Sequence, residues 1–396
     1  MRMVTSRRRE SGVTLIELMV GLLVGMLLTL AIFEVMATFE GRKRTLTSVN
    51  DIEHAGQLAL YKIDGWLRSA GAGLPQSAAY AYGCPVYASK SKTQLLPLTK
   101  PLDAPFASVN PGTSGVFRVA PVMILPNQTT PGVSKKPSDV LVVMIAPGDS
   151  GTAVPFSELG VATSSSLGVQ NTVDFSPNDL VLVADQQSLP GGAKQPCMVE
   201  QVSSTFTTGS TPPLTLSGDY HEPSISNASL TSYSSSAVAI KLGNVASSRP
   251  PTFMLLGVGN DNVLYSYDLL HTTADAPQAQ AEGVFEMHAL YGVDTNNDGK
   301  VDAWVSPSTG DFSVSALSAG DAIAAMRLNQ IKAIRVGLIL RTSLAEKDAV
   351  TTSPLSLFAD LKDLHLDYPR DLNEEEQHFR YRTMDTTIPV RNNSFK

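Results

Sequence analysis

The chain has 396 residues, of which 43% are hydrophobic and 17% charged, and this is the composition of a folded protein with its own core. The length allows one large domain or two modest ones. Acidic residues outnumber basic ones by 37 to 30, which leaves a net charge of −7. An acidic chain has no electrostatic attraction for phosphate backbones, so we expect no direct contact with nucleic acid.

The N-terminus combines a basic leader with an apolar run. Arginines at positions 2, 7, 8 and 9 precede Gly12, and the residues from Leu18 to Phe33 carry no charge. Counted from Val13, the run is close to the roughly 20 residues with which a helix crosses the hydrocarbon core of a bilayer. Because basic flanks stay on the cytoplasmic side, the leader is predicted to lie in the cytoplasm and the rest of the chain on the far side.

One carboxylate, that of Glu17, stands near the start of the apolar run. An ionisable side chain at membrane depth is costly unless it has a partner, so Glu17 is a candidate functional residue. Further along, Gly21 and Gly25 in the stretch GLLVG form a small-residue face that lets a second helix approach closely.

The leader, Gly12, Glu17 and the apolar run together resemble the class III signal of type IV prepilins and type II secretion pseudopilins. In that family a prepilin peptidase cleaves after a glycine, methylates the new N-terminus and needs a glutamate at the fifth mature position. The resemblance implies cleavage after Gly12, methylation of Val13, and pairing of Glu17 with the N-terminal amine of an adjacent subunit. Val13 departs from the family pattern, in which phenylalanine or methionine is commoner.

Two other interpretations of the N-terminus are open. It could be an ordinary signal anchor that happens to contain a glutamate. A secretory signal peptide fits less well, because small residues suited to cleavage should follow the apolar run. The residues that follow are instead Glu34, Glu40 and the sequence GRKR.

The helix is predicted to continue beyond the membrane. Between residues 45 and 70 apolar residues recur at nearly helical spacing, and charged residues lie largely between them. Glycines at 71 and 73, followed by Leu74 and Pro75, form a stop signal. We therefore expect a long helix whose second half packs on a soluble head. The apolar positions are Leu46, Val49, Ile52, Leu58, Leu60, Ile63, Trp66 and Leu67.

After residue 75 the chain is predicted to be mostly β-structure, because short β-branched or aliphatic runs alternate with Pro, Gly, Ser and Asn. A helix is expected around 319–328, and the Ser/Thr-rich stretch 203–236 is expected to be a loop or strand-poor insertion. The predicted strands are 114–125, 139–147, 178–186, 198–203, 237–243, 252–259, 262–270, 283–294, 302–306, 331–343 and 380–392.

The chain contains two cysteines, Cys84 and Cys197. If the head lies outside the cytoplasm, both face an oxidising compartment, in which an isolated pair tends to form a disulfide. We expect that disulfide; the alternative is two free, buried thiols.

The stretch DTNNDGKVD, residues 294–302, is the best candidate for site chemistry. Oxygen-bearing side chains alternate before a glycine, as in the first half of an EF-hand loop that wraps one Ca²⁺. The template then fails, because its twelfth position is Val305 and the flanking segments are predicted strands. A β-hairpin turn is the alternative, since Asp, Asn and Gly are preferred turn residues. The candidate calcium ligands are Asp294, Asn296, Asp298, Lys300 through its carbonyl, and Asp302.

Enzymatic motifs are not found in the sequence. The six histidines are scattered without a paired metal-binding spacing, and neither a G-x-S-x-G elbow nor a Walker loop occurs. We therefore expect a protein that is not an enzyme and has no certain cofactor.

A narrower resemblance covers nearly the whole chain. In order, it is carried by QLALYKIDGWLRSAGAG, DVLVVMIAP, NDLVLVADQ, NVLYSYDLL, EGVFEMHALYGVDTNNDGKVD and the closing FRYRTMDTTIPVRN. These segments resemble the head of PilW-type minor pilins, and the stretch 203–236 departs from them as an insertion. The resemblance implies a minor pilin of type IV pilus assembly, at the filament tip or in a priming complex.

These features predict an α+β, type IV pilin-like fold, with a long N-terminal helix packed on a β-rich head. The expected divisions are a cleaved leader at 1–12, a transmembrane half-helix at 13–40, an amphipathic half-helix at 41–73 and the head at 74–396.

The resemblance also implies partners and a location. The partners are other minor pilins, the major pilin, the prepilin peptidase and the inner-membrane assembly platform. The location is the bacterial inner membrane, with one pass and a periplasmic head, and then the pilus or cell surface. Two alternatives stay open: a minor pseudopilin of type II secretion, or a membrane-anchored adhesin that never polymerises and keeps residues 1–12.

Overall fold

A computed structural model describes residues 12–72, 74, 81–112, 115–128, 138–147, 153–157, 161–189, 192, 194–209 and 212–393. The predicted leader before Gly12 lies outside these residues, as do Gly73 and Pro75 of the predicted stop signal. The chain divides into two compact units, residues 1–51 and residues 52–396.

The elements are named in chain order. The α-helices are α1 (Leu15–Ser69), α2 (Val314–Leu317) and α3 (Ala322–Gln330). The strands of the first half of the head are β1 (Val86–Lys90), β2 (Thr93–Leu96), β3 (Val122–Gln128), β4 (Ser138–Ile145), β5 (Ala153–Pro155), β6 (Ser166–Leu167), β7 (Asp179–Ala184), β8 (Cys197–Gln201), β9 (Leu214–Thr215), β10 (Ser224–Ile225) and β11 (Ala228–Ser229). The remaining strands are β12 (Val238–Asn244), β13 (Thr252–Val258), β14 (Val263–Asp268), β15 (Gln278–Glu282), β16 (Val284–Val293), β17 (Ala303–Val305), β18 (Ile331–Arg341), β19 (Leu355–Leu357), β20 (Tyr368–Arg370) and β21 (Tyr381–Pro389).

The first unit is the N-terminal part of α1. Its residues Leu15–Met36 form a stretch long and apolar enough to cross a membrane, and none of that stretch is buried inside the protein. Apolar side chains that remain this exposed need a non-aqueous surrounding, because water is a poor solvent for them. The first unit therefore has the physical character of a membrane anchor.

In the second unit, α1 buries one face in the main core of the head. Ile52, Ala59, Ile63 and Leu67 are all buried, at the spacing of successive helical turns. Burying each of the larger aliphatic side chains contributes about 1.5–3 kcal/mol. On the same face, Gly56 leaves room for strands β18 and β21 to come close to the helix.

The helix thus packs on the head as predicted, but two of the apolar positions assigned to its stripe do not. Leu46 is 65% exposed and Leu58 is 47% exposed. The packing face instead includes Gly56 and Ala59, whose small side chains gave no hydrophobic signal in the sequence. Small residues at these positions allow the helix to lie close to the third sheet.

The helix ends at Ser69, and the chain turns at Gly71, whose φ of 69° is a left-handed conformation that glycine adopts without strain. Gly71 N donates to Met144 O of β4 over 2.8 Å, and Ala70 bridges to Ile145. The end of the helix is therefore tied directly to a central strand.

Three sheets build the head. The first sheet has the strand order β2-β1-β8-β7-β12-β5, the second β15-β14-β13-β4-β3, and the third β17-β16-β18-β21. The main core includes buried residues of all three sheets and of α1. Short two-stranded ladders, β6-β9, β10-β11 and β19-β20, complete the described pairing.

The first sheet is buried on both faces. In β7, Leu180 and Leu182 face the main core, whereas Val181 and Val183 face a second core. The second core also contains Phe206, Leu214, Ile225, Leu230 and Tyr233, which come from the Ser/Thr-rich insertion. The insertion is strand-poor as predicted, but it covers a sheet rather than lying free on the surface.

Every predicted strand segment contains a strand, and the predicted helix near 319–328 is α3. The α+β, pilin-like architecture is confirmed. The segment 114–125 is wrong in its bounds: Ser114 lies outside the described residues, and β3 begins only at Val122 after Pro121. Phe117 and Val119 instead exchange backbone hydrogen bonds with the residues around Cys84. Among the described residues, ten short strands lie outside the predicted strand segments: β1, β2, β5, β6, β9, β10, β11, β15, β19 and β20.

The second and third sheets are joined through side chains at an open edge of β16. Ser138 Oγ of β4 accepts from Met287 N over 3.1 Å, and Asp139 Oδ2 accepts from Ala289 N over 2.9 Å. Side chains thus satisfy backbone groups that a neighbouring strand would otherwise pair.

A buried charged cluster lies beside this joint. His288 is 4% exposed; its Nδ1 lies 3.6 Å from Asp139 Oδ1 and its Nε2 lies 3.4 Å from Glu286 Oε2. Arg370 of β20 donates to Glu286 over 2.7 Å, and the Tyr368 ring stacks on His288 with centroids 3.7 Å apart. Burial alone would lower the pKa of His288, but the Asp139 and Glu286 carboxylates outweigh it and raise the pKa to about 9.

Asn392 and Asn393, near the C-terminus, are hydrogen-bonded to residues of the core. Asn393 donates to Leu328 O and Ile331 O over 2.8 and 2.7 Å, and it accepts from Tyr82 over 3.0 Å. Asn392 donates to Ala70 O over 2.9 Å. The C-terminal residues therefore hold the end of α1 and the start of β18 together.

Two glycine-to-alanine substitutions in α1 should have opposite effects. A Cβ at Gly56 would collide with Leu340 Cδ1 and lie 2.9 Å from Met384 Sδ, whereas a Cβ at Gly65 meets nothing within 4 Å. Gly65→Ala should raise the free energy of unfolding by about 0.5–1 kcal/mol through helix propensity. The free energy of unfolding of Gly56→Ala should be about 1–3 kcal/mol lower than that of Gly65→Ala, because the added methyl group overpacks the contact with β18 and β21. Chemical denaturation of the detergent-solubilised full chain measures both; equal stabilisation would contradict close helix docking.

Stability should fall as the pH rises from about 6.5 towards 9, because His288 holds its proton in the folded state after an unfolded histidine has lost it. The loss attributable to His288 is at most about 3 kcal/mol. Denaturation curves measured across this pH range should show that the free energy of unfolding declines less steeply with pH in His288→Gln than in the wild type. The exposed His365→Gln variant is the control and should follow the wild type; a His288→Gln profile parallel to the wild type would remove His288 as the cause.

Candidate membrane anchor and assembly site

The start of α1 is closed by a reciprocal pair of hydrogen bonds between Thr14 and Glu17. Glu17 N donates to Thr14 Oγ1 over 3.3 Å, and Thr14 N donates to Glu17 Oε2 over 3.1 Å. This is a capping box, in which each side chain satisfies a backbone N–H that the first helical turn leaves unpaired. The negative charge also lies at the positive end of the helix dipole. The Glu17 carboxylate is thus held within its own chain at the helix N-terminus.

Glu17 and the two glycines share one side of the helix. Glu17, Gly21 and Gly25 follow at intervals of four residues, and all three line one shallow groove together with Leu18 and Leu22. A Cβ at either glycine would meet nothing within 4 Å. The groove therefore offers a path along which the backbone of another helix can lie close and lead to the carboxylate.

The predicted cleavage site lies just outside the helix. Gly12 and Val13 precede α1 without regular secondary structure, and Val13 is 72% exposed. An exposed, non-helical peptide bond is one that a peptidase can reach. The structure leaves cleavage and methylation themselves as predictions.

The predicted disulfide is confirmed. Cys84 and Cys197 are bonded, with their Cα atoms 5.8 Å apart and a sequence separation of 113 residues. The bond lies where β1 runs parallel to β8, with Val86 in register with Cys197. In the chain-entropy model, closing a loop of this length contributes about 4–5 kcal/mol. The bond links the segment after the long helix to the middle of the first sheet.

The candidate calcium loop connects β16 and β17 as a hairpin. Asp294 accepts from the backbone N–H groups of Asp298 and Gly299 over 3.2 and 2.8 Å. Asp302 accepts from Thr295 N and Asn296 N over 2.8 and 3.2 Å. These bonds are those of a turn closed by its own carboxylates. Calcium binding by Asp294, Asn296, Asp298, Lys300 and Asp302 stays a prediction.

In the described part of the chain, the 294–302 loop included, no group of three or more His, Cys, Asp or Glu side chains is arranged so that it could hold a metal ion. The fold does bring together ionisable side chains that are far apart in the sequence. Glu200 is fully buried, and its Oε2 lies 2.5 Å from His221 Nδ1. Burial raises the pKa of Glu200 to about 7, and the hydrogen bond that the His221 ring makes to the Glu200 carboxylate raises the pKa of His221. A glutamate inside the apolar strand CMVEQ was the signal that could have identified this pair.

Two family models match the chain, one at the anchor and one at the end of the head. Residues 7–33 match the prokaryotic N-terminal methylation motif. With an exposed apolar helix and a strand-rich head behind it, this is a pilin of the type IV pilus class. Residues 256–392, from β13 through β21, match type IV pilus-assembly protein W. This part of the head is therefore similar to the PilW family, as the sequence had indicated.

Searches among curated proteins and among solved structures found no match to the chain. Both matched families consist of structural or assembly proteins of pili, which are not enzymes. Proteins of a pilus-assembly family interact with other pilus components.

Proposed function

We propose that this protein is a minor pilin that takes part in the assembly or initiation of a type IV pilus. The observation that carries the proposal is the anchor: an exposed apolar helix whose capped N-terminus holds a single carboxylate five residues after Gly12. The match of the last part of the head to type IV pilus-assembly protein W supports the same function.

In this proposal the precursor enters the bacterial inner membrane with residues 1–12 in the cytoplasm and the head in the periplasm. The prepilin peptidase cleaves after Gly12 and methylates the amine freed at Val13. The exposure of Val13 and the helix start at Leu15 fit this step, because the bond to be cut lies in a non-helical segment.

Assembly then exchanges one partner of Glu17 for another. Among the described residues, the Glu17 carboxylate accepts from the neutral backbone N–H and hydroxyl of Thr14. The charged amine of an adjacent subunit is a stronger partner in a low-dielectric membrane, because the attraction between two opposite charges grows as the dielectric constant falls. A helix lying along Gly21 and Gly25 is guided towards that carboxylate, so the contact sets the axial register between subunits.

The bulk of the head favours a role in few copies. The head has a second core formed by its insertion. Such a head suits the tip of a filament or a priming complex, in which the protein contacts other minor pilins, the major pilin and the assembly platform. The calcium site proposed at 294–302 would stiffen a hairpin of this head and has no catalytic part.

The mass of the intact protein from membranes tests the proposal. With the prepilin peptidase present, the chain should lack residues 1–12 and carry one added methyl group at Val13. Without the peptidase, it should retain the leader. A full-length chain in both cases would overturn the proposal and favour a membrane-anchored adhesin that is never polymerised. A processed chain found with a secretion system rather than with pili would identify a type II pseudopilin.

Glu17→Gln tests whether the carboxylate charge is needed for assembly. The variant keeps the side-chain length and a capping oxygen but removes the charge, so the amine of the neighbour should lose its ionic partner. Because the peptidase is also expected to need Glu17, only chains that have lost residues 1–12 are counted. Leaving one buried charge unpaired costs about 3–5 kcal/mol, so the variant should be more than about tenfold depleted from sheared pili.

Glu34→Gln, which removes a carboxylate further along the same helix, is the matched control and should enter pili normally. The measurement is the ratio of the protein in sheared pili to that in membranes. Normal entry of Glu17→Gln would show that the carboxylate charge is not needed for assembly.

A further inference from the structure

A cleft of about 380 Å³ lies in the head, remote in sequence from the anchor. Its walls are the β1–β2 hairpin, the loop at 97–103 and the chain that leaves β14, so it lies between the first and second sheets. The volume falls at the lower end of the roughly 300–1,000 Å³ that ligand sites occupy. The cleft is thus large enough for a small molecule or a short part of a polymer.

His271 lines the cleft, and its backbone has a left-handed conformation that glycine adopts more easily. His271 has a φ of 53°, in the left-handed region. Its carbonyl oxygen accepts from Lys90 Nζ over 2.6 Å and from the Tyr220 hydroxyl over 3.2 Å. The turn before it is built on Asp268, whose carboxylate accepts from the backbone N–H groups of Leu270 and Thr272. Backbone strain held in place by several contacts is typical of binding sites.

The imidazole is part of a chain of polar groups at the mouth of the cleft. His271 Nε2 lies 2.8 Å from the Tyr267 hydroxyl, and His271 Nδ1 lies 3.7 Å from Asp275 Oδ1. Lys90 donates to the same Asp275 oxygen over 3.2 Å. These neighbours fix the orientation of the ring while Asp275 itself remains 74% exposed. The cleft therefore has fixed donors and acceptors in one place.

The other residues that line the cleft indicate which class of ligand it can bind. Leu95, Leu98 and Leu102 are half-buried in the cleft, which gives it an apolar side. Lys90 and Lys100 are balanced by Asp103 and Asp275, so the lining does not attract ions of either sign. Hydroxyl groups of Ser91, Thr93 and Thr99 add further donors and acceptors.

We propose that this cleft binds a neutral saccharide. A sugar ring presents hydroxyl groups along its edge and C–H groups on its face, and these match the polar mouth and the leucine side. His271 and Asp275 accept or donate hydrogen bonds to sugar hydroxyls, while Lys90 and Tyr220 act as positioning residues that hold His271. The saccharide is part of an oligosaccharide or of a surface polysaccharide, since the cleft is open at one side.

The detergent-solubilised full chain should be applied to a glycan array with neutral, sialylated and sulfated oligosaccharides, and with a separate set of bacterial envelope polysaccharides. Binding to neutral members is expected, and the set that responds identifies the source of the ligand. Calorimetry with the best neutral oligosaccharide then measures the affinity.

His271→Gly is the decisive variant, because glycine suits the left-handed conformation and the fold should be retained. It should weaken binding by about tenfold or more, as expected for the loss of hydrogen bonds to a polar ligand. His365→Gly is the matched control: His365 has a φ of 56°, is exposed and does not line the cleft, so binding should change by less than about twofold. Asp275→Asn is a second variant at an exposed position and should also weaken binding.

Three results would overturn the proposal. One is the absence of binding to any neutral glycan at millimolar concentration. Another is undiminished affinity in both His271→Gly and Asp275→Asn. The third is selective binding of acidic glycans, or of peptides on a parallel peptide array, which would assign the cleft to another class of ligand.

Discussion

The close contact between α1 and the third sheet is the constraint on which the head depends. Gly56 brings the helix against β18 and β21, and the buried face from Ile52 to Leu67 then fills the main core. All three sheets contribute to that core, so each of them loses part of its buried surface if the helix is removed. The same helix carries the apolar anchor at its other end. A short run of small and aliphatic residues thus couples membrane attachment to the integrity of the head.

Two kinds of side-chain bridge supplement that core. The disulfide between Cys84 and Cys197 connects the chain after the helix to the first sheet. Ser138 and Asp139 connect the second sheet to the third by satisfying backbone groups of β16. Among the described strands, the second bridge joins two sheets that share no backbone ladder between them. The charged cluster around His288 lies beside the second of these joints and is buried with it.

The anchor, the disulfide and most of the strands could be predicted from the sequence, because each leaves a local signal. The apolar run, the position of Glu17 and the β-branched segments are such signals. The capping box was not predicted, although Thr14 stands three residues before Glu17 as the pattern requires. The face of α1 was predicted only in part, since Gly56 and Ala59 pack by being small. The His288 cluster, the Glu200–His221 pair and the cleft at His271 join residues from distant strands, and only the tertiary fold brings them together.

The two ends of the head meet in its interior. Asn392 and Asn393 bind the end of α1 and the start of β18, and β21 pairs along nearly the whole of β18. The helix that begins the head therefore has no complete packing surface until the last strand has been synthesised. Contacts between such distant parts of a chain form slowly and leave apolar surface exposed in the meantime. Folding of the head consequently waits for β21, and a chain that lacks β21, Asn392 and Asn393 would leave the surface of β18 and the end of α1 without these contacts.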